Sequence, residues 1–294
     1  MKHAVLGPGA IGGLMATALG AIGEDVILIV RAEKLAGYPT RLTLEQPNRT
    51  ITAAVRIAAK LAEPVDVLWV ATKAHQLETA LDSVQAPAGI VVPLLNGVDH
   101  VGALVARFGR DRVVPGSIAV EADRIAEGHF AQRNVVRLNV AASGEHVLGP
   151  VLARLEKQYG FVCRFIESEE KVLWTKLSFL APFALVTSAS GKSKSEIFDD
   201  PHWKAKLFST IDEAAAVAAR EGAELDAEKI KTGFDALPPT MRSSMAKDLS
   251  AGRQLELDAI AGPIVHGGER HKIPTPVTKE LMATIKSKVS DRQR

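Results

Sequence analysis

The first half of the chain alternates two kinds of apolar pattern. Short, nearly unbroken apolar runs occur at "HAVLG" (3–7), "EDVILIV" (24–30), "VDVLWVAT" (65–72) and "GIVVPLLNG" (89–97). Such runs predict strands covered on both faces, as in a parallel sheet. Between them, "GGLMATALGAIG" and "AHQLETALDSV" have helical composition. "RVVPGSIAV", "VVRLNVAA" and "FVCRFIE" add strands, and "VLARLEKQYG" adds a helix. Strands alternating with helices predict an α/β fold with a doubly wound parallel sheet. After about Glu167 the strands cease. "KVLWTKLSFLAPFALVTSA", "HWKAKLFSTIDEAAAVAAREG", "DAEKIKTGFDAL" and "RQLELDAIAGPIVHGGERH" all predict helices, the first kinked at Pro182 by loss of one hydrogen bond.

The change of pattern divides the chain into an α/β domain over 1–167 and a mostly α-helical domain over 168–294. A length of 294 residues agrees, because single cores stop growing near that size. The formal net charge of +2 and the absence of a basic, aromatic stripe argue against a nucleic-acid partner. One cysteine, Cys163, excludes an internal disulfide and fits a reducing cytoplasm. Its apolar flanks predict a small core residue in a strand. The uncharged N-terminal run "AVLGPGAIGGLMATALGAIG" is too rich in glycine for a signal peptide or membrane helix. A cytoplasmic protein with no membrane partner is therefore expected.

Candidate chemistry begins in that run. Gly7, Gly9 and Gly12 stand in G-x-G-x-x-G spacing between a strand and a helix. In a Rossmann-type fold the first glycine makes the turn, the second admits a pyrophosphate, and the third packs helix on strand. The loop Gly7, Pro8, Gly9, Ala10, Ile11, Gly12 is thus expected to bind a dinucleotide at the helix N-terminus. The second strand ends at Arg31, where an NAD site carries an acid. A guanidinium there suits a 2′-phosphate, so NADP(H) is the expected cofactor, although Glu33 follows closely. Lys73 and Asn96 follow later strands, where ligands bind in such sheets. Lys73 is a cofactor contact or a solvated lysine, and Asn96 a ribose or substrate contact or a turn residue before Gly97.

Lys176 is the one charge in "VLWTKLSFLAPFALV". An ammonium in so apolar a segment either snorkels to water or serves a purpose. Beside a reduced nicotinamide it could stabilise and protonate the oxyanion formed when a ketone accepts hydride. Asp248 and Asp258 are catalytic carboxylates or, equally in keeping with their setting, exposed helix positions. His266, Glu269 and His271 lack a recognised zinc spacing, and no metal site is expected.

Together "AVLGPGAIGG", "ATKAHQ", "LLNGV", "WTKL" and "SSMAKDLSAGRQLELDAIAGPIVHGG…IPTPVTKEL" resemble the ketopantoate reductase (2-dehydropantoate 2-reductase) family over nearly the full chain. The resemblance implies a Rossmann domain followed by a helical domain, with the active site in the cleft between them. It implies NADPH-dependent reduction of a 2-oxo acid to a 2-hydroxy acid, a step of pantothenate biosynthesis, and is compatible with a homodimer. It implies that Gly7–Gly12, Arg31, Lys73, Asn96 and Ala122 contact cofactor, and that Lys176 is the general acid. Ser244, with Asn96 and Lys176, is then a substrate contact, and Glu256 a catalytic residue near the nicotinamide ribose. The chain departs from the family at Leu180 and Ala184, where asparagines are usual. A 2-oxo acid with an apolar tail is therefore expected over ketopantoate, unless the Pro182 kink turns Thr187 or Ser190 toward the substrate. Other expectations on this scaffold are a reductase of less polar ketones or imines, or a non-catalytic NADP(H)-binding regulator.

Overall fold

The computed structural model describes residues 1–292. The chain forms two compact units. One comprises Met1–Leu95 and His100–Val172, the other Asn96–Asp99 and Leu173–Arg294.

In the first unit five parallel strands lie in the order Arg56–Ala58, Asp25–Ile29, Lys2–Leu6, Val65–Val70, Ala88–Pro93. Counted along the chain within this sheet, the order is 3-2-1-4-5. The winding reverses between Lys2–Leu6 and Val65–Val70, and ligands bind beyond the strand C-termini at such a point. Successive side chains alternate between two cores. Val5, Leu28, Val67 and Trp69 enter one, while Ala4, Leu6, Ile27 and Leu68 enter the other. With both faces covered, the strands read as unbroken apolar runs.

A four-stranded sheet, ordered Arg49–Ala54, Arg41–Gln46, His129–Gln132, Ala122–Ala126, packs nearby. The helix Ala10–Ala21 shares one core with both sheets, burying Leu14, Met15 and Leu19 with Leu42, Leu44 and Phe130. A helix enclosed in this way is apolar all round. Apolar runs alone do not reveal the hairpin Arg41–Ala54. Its mark is alternation, with Leu42, Leu44, Ile51 and Ala53 buried and polar residues between them.

Gly116–Ala119, Arg137–Ala141 and Val162–Ile166 form a separate mixed sheet, with Gly116–Ala119 antiparallel to its neighbour. They do not extend the parallel sheet. An apolar run predicts a strand but not its partner.

The second unit is helical. Its long helix, Glu169–Ser190, begins in the first unit and runs unbroken through Pro182. The ring removes only the bond to the Ser178 carbonyl, and the expected kink does not interrupt the helix. By length and composition this helix could cross a membrane, yet 78% of its apolar window is buried in the protein. Its Ala181, Leu185 and Val186 pack with Leu207 and Ile211 of Pro201–Arg220, Ile260 and Ile264 of Leu257–His271, and Leu281 of Pro276–Arg292. The helix expected over 253–271 begins only at Leu257. Gly252, at φ 67°, ends the short helix Ser244–Ser250, and residues 253–256 run as a non-helical link. The last helix, Pro276–Arg292, was not among the expected ones; it starts at a proline suited to a first helical position.

Candidate active site

In the first unit the three loop glycines meet three different demands. Gly7 has φ 103°, and a Cβ on it would lie 2.9 Å from the Ala71 carbonyl oxygen. At Gly12 a Cβ would lie 1.9 Å from the Gly7 carbonyl oxygen, so helix and loop could not close. At Gly9 a Cβ would meet nothing within 4 Å. Packing therefore requires Gly7 and Gly12 but not Gly9. Gly9 is the N-cap of Ala10–Ala21, and no side chain caps the free amides there. Open backbone and uncapped amides at a helix N-terminus fit a pyrophosphate, so the loop residues present fit a dinucleotide.

Pro8, Ala10 and Ile11 complete the loop and are partly exposed. Arg31 lies two residues beyond the strand Asp25–Ile29, exposed and extended, and forms no ion pair among the described residues. Lys73 follows Val65–Val70 as the residue before a short 3₁₀ turn, partly buried. Ala122 opens an edge strand of the four-stranded sheet and pairs with Gln132, rather than lying at the end of the parallel sheet.

In the second unit Asn96, Lys176 and Glu256 come together from three distant parts of the sequence. Asn96 belongs to this unit although the strand before it belongs to the other. Gly97, at φ 85°, makes that possible, since a Cβ there would lie 2.3 Å from the Ala259 carbonyl oxygen. The loop thus presses on the first turn of Leu257–His271. The Asn96 Nδ2 donates to Glu256 Oε2 at 3.0 Å. Glu256 is the N-cap residue of that helix, yet its side chain does not cap it.

Lys176 makes no hydrogen bond and no ion pair with any described residue. Burial pushes its pKa down from the usual lysine value of 10.5 to about 8, and the charge of Glu256 opposes that fall. A cation held without a donor–acceptor partner, next to a carboxylate, is both costly and available. Near neutral pH it is still mostly protonated, and it is far more acidic than a solvated lysine.

Ser244 is exposed at the first position of Ser244–Ser250. Its neighbour Ser243 is buried and caps that helix, accepting from the Ala246 amide at 3.1 Å. The Ser243 hydroxyl also meets Thr187 Oγ1 at 2.7 Å, and Thr187 donates to the Phe183 carbonyl. This buried relay ties the Ser244 helix to the helix that carries Lys176. Sequence reasoning missed it, although a serine before a short helix is a capping signal. Thr187 is therefore engaged, and Ser190 donates to the Val186 carbonyl and accepts from the Lys192 amide. Both hydroxyls are thus engaged by the protein's own groups rather than left for a substrate. Ala184 is wholly buried, whereas Leu180 keeps accessible surface.

The remaining candidates stand apart. Asp248 pairs with Arg253 at 2.6 Å, Asp258 with Lys286 at 3.4 Å, and His271 with Glu221 at 2.8 Å. Cys163 lies in Val162–Ile166, partly buried, its thiol pushed up to about 12 by burial. Among the described residues no group of three His, Cys, Asp or Glu could hold a metal.

Comparisons with known proteins complete the description. The family model described as Ketopantoate reductase PanE/ApbA matches residues 3–145, and that described as Ketopantoate reductase PanE/ApbA C terminal matches residues 170–289. The 2-dehydropantoate 2-reductase of Caulobacter vibrioides is 31% identical over 296 residues, spanning 96% of this chain and 97% of its own length. That of Archaeoglobus fulgidus is 26% identical, spanning 96% of each. Among solved structures, 2-dehydropantoate 2-reductase from Geobacter metallireducens has a TM-score of 0.87 at 21% identity, covering 98% of this chain and 99% of that one. D-mandelate dehydrogenase, solved with NADH and anilino(oxo)acetate, has a TM-score of 0.87 at 20% identity, covering 100% and 99%. At such identities the solved structures show a shared fold.

Proposed function

The chain belongs to the ketopantoate reductase family, whose members are oxidoreductases acting on CH–OH groups, and we propose that it reduces a 2-oxo acid to a 2-hydroxy acid with NADPH, Lys176 serving as general acid. The observation that carries this reading is the Lys176 ammonium, unpartnered by hydrogen bonds, acidified by burial to about pKa 8 and within the electrostatic reach of Glu256. The relatives from Caulobacter vibrioides and Archaeoglobus fulgidus bear the name of that reaction.

Gly7–Gly12 would hold the dinucleotide, with the pyrophosphate over Gly9 and the first amides of Ala10–Ala21. Arg31 would take the 2′-phosphate by charge-assisted hydrogen bonds, which favours NADPH over NADH. Lys73 and Ala122 would add contacts to the cofactor. When bound, the dihydronicotinamide supplies the hydride that adds to the ketone carbon. As the carbon–oxygen π pair collects on oxygen, the Lys176 ammonium stabilises the negative charge and delivers a proton from Nζ. Glu256 keeps Lys176 charged against the cost of burial, and it would also reach the nicotinamide ribose. Asn96 holds Glu256 by a hydrogen bond and lies with Lys176 where the oxo acid binds. Ser244 would hold its polar head.

The test is NADPH consumption over a panel of 2-oxo acids, with wild type and Lys176→Ala, alongside fluorescence titration of NADPH. Wild type should consume NADPH with at least one member. The variant should bind NADPH normally and turn over ~10²–10⁴-fold more slowly. Failure of the wild type on every 2-oxo acid would overturn the reading.

A further inference from the structure

We propose that Leu180, with Phe179 beside it, selects the side chain of the oxo acid, and that the preferred substrate carries an apolar tail. This rests on the reductase reading above and deepens it. Lys176 fixes where the ketone oxygen must sit. One turn on, the same helix face presents Leu180, which is only partly buried. Phe179 is partly buried too, and its ring is held at 4.1 Å between centroids, nearly parallel to Phe234. A stacked ring on a rigid helix is a fixed surface, not an adaptable one.

The hydroxyls that could have served a polar tail are spent or hidden. Ser178, Thr187 and Ser188 are buried. Thr187 is held by Phe183 and Ser243, and Ser190 by Val186 and Lys192. Thr175 is exposed, but it lies about 100° around the helix from Lys176 and about 140° from Leu180, off their shared face. Near the remaining polar groups, Val98 follows Asn96, Met241 precedes Ser244, and Leu255 precedes Glu256, each partly buried against the same apolar core. Along the Lys176–Leu180 face of this helix, then, no hydroxyl is left exposed to meet a substrate tail. A hydroxyl on the substrate tail would lose water against Leu180 and gain no partner from this helix face.

The chemistry is balanced as for any such reduction: the carbon gains the hydride from NADPH, the oxygen gains the Lys176 proton, and NADP⁺ leaves. Only the tail differs between substrates, so the comparison isolates it. The experiment measures kcat/KM of the NADPH-saturated enzyme for 2-dehydropantoate and for trimethylpyruvate, which has the same carbon skeleton without the hydroxyl. Trimethylpyruvate should be favoured by about 5- to 150-fold, the range set by one unpaired buried hydroxyl. Leu180→Asn should raise activity on 2-dehydropantoate and narrow or reverse the ratio, and Leu180→Thr should move it in the same direction. Leu180→Met should preserve it. The wild-type ratio needs no variant to fold. A wild-type preference for 2-dehydropantoate overturns this proposal and leaves the reductase reading standing. Turnover of neither compound, with NADPH still bound and the wider 2-oxo acid panel also inert, overturns both.

Discussion

Replacing Lys176 by methionine should stabilise the protein at neutral pH while destroying its activity. Methionine matches the length and flexibility of the lysine stem and carries no charge. The lysine pKa falls from 10.5 in the unfolded chain to about 8 in the fold. Each factor of ten in that equilibrium is worth about 1.4 kcal/mol, so ionised Lys176 costs the native state about 3 kcal/mol at pH 7. The sign follows from the direction of the shift. The folded state disfavours the charged form, so the cost is fully present below pH 8, shrinks as pH rises, and is gone above 10.5. The assay is guanidinium denaturation of both proteins from pH 7 to 10.5, followed by tryptophan fluorescence. Trp174, buried two residues before the lysine, supplies a local signal. Other groups titrate over this range in both proteins, so the difference between them isolates Lys176. The variant should lead by about 3 kcal/mol at pH 7, and that lead should close as pH rises to 10.5. A gap that does not change with pH would show that Lys176 is not held at a cost. A larger stability for wild type at pH 7 would show that Glu256 more than offsets its burial.

The pH dependence of reduction should follow the same group: kcat/KM should hold below about pH 8 and fall above it as Lys176 loses its proton, and a flat profile from pH 7 to 9 would remove Lys176 as the acid. Arg31→Ala should weaken NADPH by roughly 1–3 kcal/mol and leave NADH nearly unchanged in a fluorescence titration, whereas equal losses would remove its role at the 2′-phosphate. Gly9→Ala should fold as wild type, because its Cβ meets nothing within 4 Å, yet lose NADPH affinity; unchanged affinity would place the pyrophosphate elsewhere. Gly12→Ala should instead lower the melting temperature of the protein without any cofactor, because its Cβ would lie 1.9 Å from the Gly7 carbonyl oxygen.

Much of this protein is determined by sequence that is local. The glycine loop, the apolar strands on either side and the lysine in an apolar helix are each read from neighbouring residues. Their chemistry is set within a turn or two of chain, by glycine's backbone freedom, the period of the strand and the price of burying a charge. The hairpin Arg41–Ala54 was not among the expected elements, although its mark, a period of two, is equally local. What the sequence could not decide were pairings across long separations. Nothing local says that Asn96 folds with the second unit, or that its amide reaches Glu256, 160 positions away. Nor does it say that Gly116–Ala119 and Arg137–Ala141 leave the parallel sheet. Side-chain direction was equally hidden. Ala184 and Leu180 lie on one helix face, and only packing against the other helices buries the first and leaves the second accessible. Thr187 looked available until tertiary contact gave its hydroxyl to Ser243. Local sequence sets which conformations and charges are affordable, while hydrogen bonds and burial between distant segments decide which groups remain free to meet a ligand.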